Sequence, residues 1–305
     1  MDILHQIADW SHPKDLTQLT MTSKFFLTLR TELFAKRKTL TIKDGTDLDE
    51  LPGFIKDQIQ SVNVTKQNFQ LTTLKIFKDI QCMRLVRGKL FDISPLAPLI
   101  NLKELNLERN QIVDISPLAT LRKLEKLHLG SNPIADISPL KSLVNLKYLD
   151  LNSIHVLDIT TLATLVNLRV LCIDSNRIVD ISPLESLLNL TILNLDSNHI
   201  VDVSPVASLI NLKELHLYSN QIVDVSSLTT LVKLEVLYFN SNEIVDVSPL
   251  SALVNLTHLY LSSNQIADVS PLVLLDNLQE LFLKSNQIID LSQLEYFNDS
   301  VTIYI

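Results

Sequence analysis

Apolar and polar positions alternate along most of this chain in a pattern with a fixed 22-residue period. The unit reads L-x-x-L-x-L-x-x-N-x-I-x-D-I/V-S-P-L-x-x-L-x-x. The alternating leucines predict a short strand with one buried face. The Ser-Pro step predicts a short 3₁₀ or α-helical turn, with a serine such as Ser116 as N-cap and Pro117 at the first helical position. The unit restarts in register at Leu102, Leu124, Leu146, Leu168, Leu190, Leu212, Leu234, Leu256 and Leu278.

Two polar positions recur almost as regularly as the leucines. The asparagine, as at Asn110, is expected to close the turn after the strand through amide hydrogen bonds to its own loop and to the neighbouring coil. The aspartate, as at Asp114, fits either a calcium ladder or the capping of backbone N–H groups. Capping is favoured because no glycine-rich turn accompanies the aspartate. Gly88 and Ile154 replace the asparagine in two coils, and sequence drift or a local functional irregularity explains Ile154.

This fixed period and spacing resemble leucine-rich repeats. The stretch NQIVDISPLATLRKL, from Asn110 to Leu124, is similar to the 22-residue repeats of internalins, a class that also occurs in a phosphatase regulatory subunit. The resemblance implies an α/β fold, a right-handed solenoid with a parallel β-sheet on its concave face and short 3₁₀ or helical segments on its convex side. It also implies recognition of proteins rather than catalysis.

Residues 1–38 lack the repeat, and their apolar residues fall at helical spacing, which predicts a helical cap on the first coil. The stretch DILHQIADWSHPKDLTQLTMTSKFFLTL also resembles an F-box. That resemblance implies docking to an Skp-type adaptor of a cullin–RING ubiquitin ligase, with the repeats selecting the substrate. The residues expected to form or support the docking surface are Leu4, Ile7, Pro13, Leu16, Leu19, Phe26 and Leu29.

Three regions follow from these patterns. Residues 1–38 form the F-box-like segment, residues 39–101 form degenerate N-terminal repeats, and residues 102–305 form the regular 22-residue repeats. Within the degenerate region, strands are expected around Leu40-Ile42 and Ile59-Val62-Val64, which look like the strands of eroded coils.

Composition and charge narrow the classes of function. A net charge of −8 argues against a nucleic-acid partner, which requires clustered Lys and Arg. No uninterrupted apolar run approaches the ~18 residues of a membrane span, and the N-terminus lacks a signal-peptide pattern, so we expect an intracellular protein, cytoplasmic or nuclear. Cys82 and Cys172 lie four coils apart, too far for a disulfide, and should be free thiols. We expect no cofactor and no metal.

The residue between the two strand leucines should face away from the core, once per coil. Three consecutive members, His128, Asp150 and Cys172, have the residue types of a thiol triad. Asp150 would nevertheless lie between the base and the nucleophile, so we expect no catalytic site. The complete column reads Arg84, Asn106, His128, Asp150, Cys172, Asn194, His216, Tyr238, Tyr260, Phe282 and Tyr304.

Aromatic side chains dominate the C-terminal half of this face. Strand preference or mutual ring stacking explains them in part, but exposed Tyr-rich patches are typical of protein interfaces. The functional prediction is a non-enzymatic adaptor, the substrate-recognition subunit of an Skp–cullin–F-box-type ligase. The alternative is a scaffold or regulatory subunit, phosphatase-regulator-like or internalin-like, with only a helical N-terminal cap. The expected partner-binding residues are His216, Tyr218, Tyr238, His258, Tyr260, Phe282 and Tyr304.

Overall fold

The computed structural model describes residues 39–42, 59–64, 71–77 and 79–305, and the F-box-like segment with its seven expected docking residues lies outside them. In this part of the chain, thirteen short strands form one parallel sheet in sequence order. The strands are β1 Thr39–Ile42, β2 Ser61–Val64, β3 Cys82–Leu85, β4 Glu104–Asn106, β5 Lys126–His128, β6 Tyr148–Asp150, β7 Val170–Cys172, β8 Ile192–Asn194, β9 Glu214–His216, β10 Val236–Tyr238, β11 His258–Tyr260, β12 Glu280–Phe282 and β13 Thr302–Tyr304.

A short 3₁₀ helix lies opposite the sheet in each regular coil, as the Ser-Pro steps predict. The two strands expected from the eroded coils are present as β1 and β2. The 3₁₀ segments of the described residues are Leu71–Ile76, Ser94–Leu96, Ser116–Thr120, Ser138–Ser142, Thr160–Thr164, Ser182–Ser186, Ser204–Ser208, Ser226–Thr230, Ser248–Ala252, Ser270–Leu274 and Leu291–Tyr296.

The hydrophobic core runs the length of the solenoid between the sheet and the 3₁₀ helices. From Leu102 to Leu275, each coil contributes apolar side chains at the same positions, aliphatic except for Phe239, and each of these is almost completely buried. Burial of one such side chain contributes about 1.5–3 kcal/mol, which explains how a coil without long elements is stable once it is stacked. In one coil the set is Leu102, Leu105, Leu107, Ile112, Ile115, Leu118 and Leu121.

The asparagines form a buried hydrogen-bonded column, as predicted. The Asn110 amide nitrogen donates to the carbonyl oxygens of Leu107 in its own coil, at 2.8 Å, and of Leu85 in the preceding coil, at 2.7 Å. Its side-chain oxygen accepts the backbone N–H of Leu90 at 3.1 Å. Each asparagine therefore joins two coils through backbone groups that water does not reach.

The two coils without this asparagine have a different turn. Lys89, after Gly88, and His155, after Ile154, adopt the left-handed backbone conformation, with φ of 55° and 65°. Ile154 is fully buried, and the side-chain oxygen of Asn176 accepts the backbone N–H groups of both Ile154 and Val156. The next coil thus supplies the acceptor, and the core remains continuous.

The aspartates cap the 3₁₀ helices, as predicted, but the serine acts differently from the prediction. Asp114 accepts the backbone N–H of Ser116 at 2.7 Å, and this bond lowers the pKa of the carboxyl group. Ser116 is the first helical residue and Ile115 occupies the N-cap position, so the expectation of Ser116 as N-cap is wrong. A carboxylate two residues earlier is the stronger acceptor, because it carries a full charge.

Candidate functional site

The concave face is built by strand alternation and by an unchanged register between coils. In β10, Leu237 is buried in the core, and Tyr238 is displayed on the opposite face of the sheet. Tyr238 pairs with His216 of β9 on one side and with Tyr260 of β11 on the other. The same register continues to Phe282 and Tyr304. Equivalent residues therefore lie side by side along the solenoid.

The five aromatic rings of β9 to β13 stack on one another without a gap. We call His216, Tyr238, Tyr260, Phe282 and Tyr304 the aromatic column. Successive ring centroids are 4.3, 4.2, 4.6 and 4.1 Å apart, and the interplanar angles are 19°, 7°, 15° and 6°. Because neighbouring rings cover each other's faces, the column offers mainly ring edges and tyrosine hydroxyl groups to a partner.

The tyrosine hydroxyl groups in the middle of the column are held in place. Burial and a hydrogen bond with the Tyr238 side chain raise the pKa of Tyr260 to about 12. Tyr238 and Tyr260 are both partly exposed. This part of the column is therefore an ordered surface that combines apolar ring edges with hydrogen-bonding groups, which is the character of many interface anchors.

His216 forms the polar end of the aromatic column. Its Nε2 lies 2.6 Å from Glu214 Oε1, and its Nδ1 lies 3.7 Å from Asp196 Oδ2. Burial alone would lower the pKa of His216, but the two carboxylates outweigh it and raise the pKa above its usual value. The protonated ring can donate a hydrogen bond from Nε2 to Glu214 and attract the Asp196 carboxylate through its charge, while it stacks on Tyr238.

The two remaining predicted site residues lie beside the column rather than in it. Tyr218 follows β9, its side chain is exposed, and its backbone N–H donates to Asp196 Oδ1 at 2.6 Å. His258 is the first residue of β11 and is partly exposed, with Nδ1 2.9 Å from Thr257 Oγ1. Neither ring stacks on the column in the described residues. Both side chains still border the surface that the column presents.

An acidic group lies next to the histidine end of the column. Asp150, Asp174 and Asp196 occupy neighbouring coils, and Asp174 accepts a hydrogen bond from the Asn194 side chain at 3.3 Å. Burial, together with the charges of Asp196 and Asp150, raises the pKa of Asp174. The sequence reading missed Asp174 and Asp196, which stand two residues after the displayed strand position. Their recurrence at the 22-residue spacing was the available signal.

The arrangement of His128, Asp150 and Cys172 does not form an activated thiol. Their strands are consecutive, with Asp150 between the other two, and His128 Nδ1 lies 3.6 Å from Asp150 Oδ2. Burial and the charge of Asp150 raise the pKa of Cys172 to about 11. The thiol is therefore protonated at neutral pH, and a protonated thiol is a poor nucleophile.

Tyr148 was also missed by the sequence reading. Its ring lies 4.6 Å from that of His128, and its side chain hydrogen bonds to Cys172.

Both Cys82 and Cys172 are free thiols, as predicted. Across the residues described above, no group of three or more His, Cys, Asp or Glu side chains is arranged to hold a metal ion. In the same residues, no helix has the length and apolar character needed to cross a membrane.

Comparison with known proteins agrees with this architecture. The family described as Leucine Rich repeats (2 copies) matches residues 122–164, 166–208, 210–252 and 254–296, more than half of the chain. Internalin InlF of Listeria monocytogenes is similar at 31% identity, with a TM-score of 0.79, over 85% of this chain and 78% of that protein. Internalin C2 of the same organism is 33% identical, with a TM-score of 0.50, over 75% of this chain and 82% of the other.

More distant structures share the fold alone. The leucine-rich-repeat ectodomain of the Arabidopsis thaliana receptor kinase GASSHO1/SCHENGEN3, solved in complex with CASPARIAN STRIP INTEGRITY FACTOR 2, has 18% identity and a TM-score of 0.66. That match covers 83% of this chain and 36% of the ectodomain. No curated protein matches the sequence. The repeat pattern, the coil geometry and the family match lead to one conclusion. The chain belongs to the leucine-rich-repeat family.

Proposed function

We propose that this protein is a non-enzymatic adaptor or scaffold that binds a protein partner on the concave face of its repeats. The aromatic column carries this proposal, because five stacked rings occupy successive coils on the face that points away from the core. Each anchor of this kind can contribute about 2 kcal/mol or more to binding. Tyr218 and His258 extend the same surface at its border.

The geometry favours a protein ligand over a small molecule. The aromatic column extends over four centroid separations of 4.1 to 4.6 Å, roughly 17 Å in all, which suits a protein surface or an extended segment. The rings are ordered before any ligand arrives, so binding would order few additional side chains. The similarity to internalins and to a receptor ectodomain solved with CASPARIAN STRIP INTEGRITY FACTOR 2 supports a recognition role.

A differential capture experiment tests this proposal. The purified wild-type chain is compared with a concave variant, Tyr238→Ala and Tyr260→Ala, in quantitative affinity capture from cell extract. The control variant, Val232→Ala and Val254→Ala, removes exposed apolar side chains from the same part of the solenoid but leaves the concave face intact. Circular dichroism and thermal unfolding establish that each variant is folded.

We expect one protein or a small set to be retained by the wild type and the control and lost by the concave variant. Titration of the purified candidate by calorimetry should then show affinity reduced by at least about thirtyfold, since about 2 kcal/mol corresponds to roughly that factor. Equal capture by the wild type and the concave variant would refute binding through the aromatic column.

A second proposal concerns residues 1–38 and starts from their resemblance to an F-box. Asp2, Ile3, Leu4, Ile7, Asp15, Leu16, Leu19, Ser23, Lys24, Phe26 and Leu29 match the family's pattern. If this segment docks an Skp-type adaptor, the repeats would select a substrate for ubiquitination in the cytoplasm or nucleus. The specific observation in its favour is the joint occurrence of this pattern and the leucine-rich repeats in one chain.

Size-exclusion chromatography of the full chain with a purified Skp-type adaptor tests the second proposal. The variant Leu16→Asp and Leu19→Asp is the matched control, after circular dichroism has shown that it is folded. A complex with the wild type that is lost in the variant would support the ligase-adaptor role. No complex with the wild type would leave a repeat scaffold whose N-terminal segment has another role.

A further inference from the structure

A second surface, on the flank between the asparagine turn and the 3₁₀ helix, is apolar from coil to coil. The residue immediately before each capping aspartate is exposed to solvent, although the residue two positions before the aspartate is buried, or partly buried at Ile288. Val179 is 59% exposed and Val201 is 51% exposed. We call this set the flank stripe. It consists of Phe91, Val113, Ala135, Leu157, Val179, Val201, Val223, Val245, Ala267 and Ile289.

The fold does not require apolar side chains at these positions. The flank stripe points away from the core, and within the described residues nothing covers it. Large continuous apolar patches on the surface of a soluble protein commonly mark binding sites. The backbone beneath is firmly held, because N–H groups next to the stripe bond to the preceding coil, as His199 N–H does to Ile178 O at 2.9 Å and Gln221 N–H to Ile200 O at 2.9 Å.

A column of negative charge runs directly beside the flank stripe. Each stripe residue is followed by an exposed aspartate, and the ion pairs of the described residues include none of these aspartates. Successive carboxylates are close enough to repel one another, as Asp92 does Asp114 and Asp114 does Asp136. Their hydrogen bonds to the 3₁₀ N–H groups hold them in place without neutralising their charge. A partner here should be apolar along one line and basic beside it.

The spacing of the flank stripe selects the conformation of that partner. Hydrogen-bonded strands lie about 4.8 Å apart, and coil-to-coil backbone bonds such as Gln221 N–H to Ile200 O hold the chain beside the flank stripe at a comparable spacing. The apolar ridge of an amphipathic helix advances on average about 5.3 Å per ridge residue, whereas one face of an extended strand advances about 6.6 Å. Over four coils the mismatch is about 2 Å for a helix and about 7 Å for a strand. A helix can therefore place one apolar side chain on each coil along the stripe.

We propose that the flank stripe and its aspartate column form a second docking surface for a basic amphipathic α-helix of a partner protein. The helix would lie along the solenoid axis, with its apolar ridge on Val179, Val201 and Val223 and its lysines or arginines over the aspartates. This surface lies apart from the aromatic column, so the two could be occupied together. A second copy of this chain fits less well, because it would bring two aspartate columns together.

The probe for this surface is a synthetic helical peptide of about 18 residues, long enough to cover about five coils. It carries leucines along one ridge and lysines on both sides, and a second peptide replaces every lysine with glutamate. Fluorescence anisotropy measures binding of both peptides to the full chain at low and high salt. Analytical ultracentrifugation of the protein alone reports self-association.

Two sets of substitutions distinguish specific binding at the flank stripe from nonspecific binding to exposed apolar side chains. The stripe variant is Val179→Ser, Val201→Ser and Val223→Ser. The control variant, Val166→Ser, Leu188→Ser and Ile210→Ser, removes side chains of similar exposure on the opposite flank, beside an asparagine column instead of aspartates. None of the six side chains belongs to the core, and thermal unfolding checks that both variants are folded.

We expect the lysine peptide to bind the wild type, to bind less tightly as salt screens the aspartates, and to lose at least about tenfold in affinity with the stripe variant. The control variant and the concave variant Tyr238→Ala and Tyr260→Ala should change its affinity less than about twofold. No binding to the wild type, equal loss in the control variant, or equal binding of the glutamate peptide would overturn the proposal. So would a dimer that dissociates in the stripe variant, since the occupant would then be a second copy.

Discussion

Replacement of one buried asparagine with leucine should destabilise the solenoid by about 3 kcal/mol, although the side chains have similar shapes. In wild type, Asn198 Nδ2 donates to Ile173 O at 3.1 Å and Leu195 O at 2.9 Å, and its oxygen accepts Ile178 N–H at 3.1 Å. Asn198→Leu removes these bonds together with a longer one from Nδ2 to Asp196 O at 3.2 Å, whose carbonyl group keeps the Ser175 N–H as a donor. The other two carbonyl groups each keep one donor, from Asn176 and Asn220, whereas the Ile178 N–H loses its acceptor.

These contacts set the magnitude of the effect. Two lost bonds whose carbonyl groups retain another donor cost about 0.5–1.5 kcal/mol each, and a buried N–H without an acceptor costs about 1–3 kcal/mol. The sum is about 2–6 kcal/mol, offset slightly by burial of the leucine side chain. Asn176→Leu should cost about 1–3 kcal/mol more, because the Asn176 oxygen accepts from both Ile154 and Val156 and two N–H groups would lose their acceptor.

Urea unfolding followed by circular dichroism measures the free energy of unfolding, with Asn189→Ala as the control. Asn189 makes an exposed bond to Val166 O, so its replacement should cost less than about 1 kcal/mol. Because repeat arrays can lose coils in steps, hydrogen exchange of the Ile178 amide provides a local measure. A loss for Asn198→Leu no greater than that of Asn189→Ala, or unchanged protection of Ile178, would refute this account of the asparagine column.

Three further predictions follow from individual residues. The folded-state pKa of His216 is raised above the unfolded value of about 6.5. Its contribution to stability should therefore be fully present below pH about 6.5 and be lost as the pH rises through the folded-state pKa. Unfolding titrations from about pH 5.5 to 9 should show this dependence for the wild type and not for His216→Gln. Cys172, with a pKa of about 11 against 9.0 for a free thiol, should react with iodoacetamide about 100-fold more slowly than N-acetylcysteine at pH 8, and equal rates in the native state would contradict its burial. His155→Gly should raise the melting temperature, with a gain of about 0.5–1 kcal/mol, because glycine adopts the left-handed conformation at φ 65° without strain, whereas His155→Val should lower it.

The regular part of the fold could be predicted from the sequence because every coil uses the same buried positions and the same turn hydrogen bonds. Leucine alternation defined the buried face, and the fixed period defined the register that aligns Tyr238 with Tyr260. The asparagine and aspartate columns were predicted because only a few groups in each coil can satisfy the backbone at a turn.

Other features depend on competition between groups that the pattern does not rank. Ser116 has the character of an N-cap, but it is the first helical residue, and its own backbone N–H is accepted by the Asp114 carboxylate. Ile154 stands where the turn asparagine is expected, and its backbone N–H is accepted by the Asn176 side chain of the next coil. The serine before most turn asparagines, as at Ser197 with φ 54°, adopts a left-handed conformation that its residue type does not indicate. The flank stripe could not be predicted from the sequence, because single exposed valines are common on protein surfaces and only the structure shows that these lie side by side.

The unchanged register between coils has a consequence for how such a protein can evolve. From β4 to β12 every strand pairs with the next at the same positions, so each junction is equivalent to every other. Unequal recombination between two repeats would add or remove one whole coil and leave all remaining junctions intact. The length of the aromatic column and of the flank stripe would then change by whole coils, about 4.8 Å each, while the core of the remaining coils stays the same.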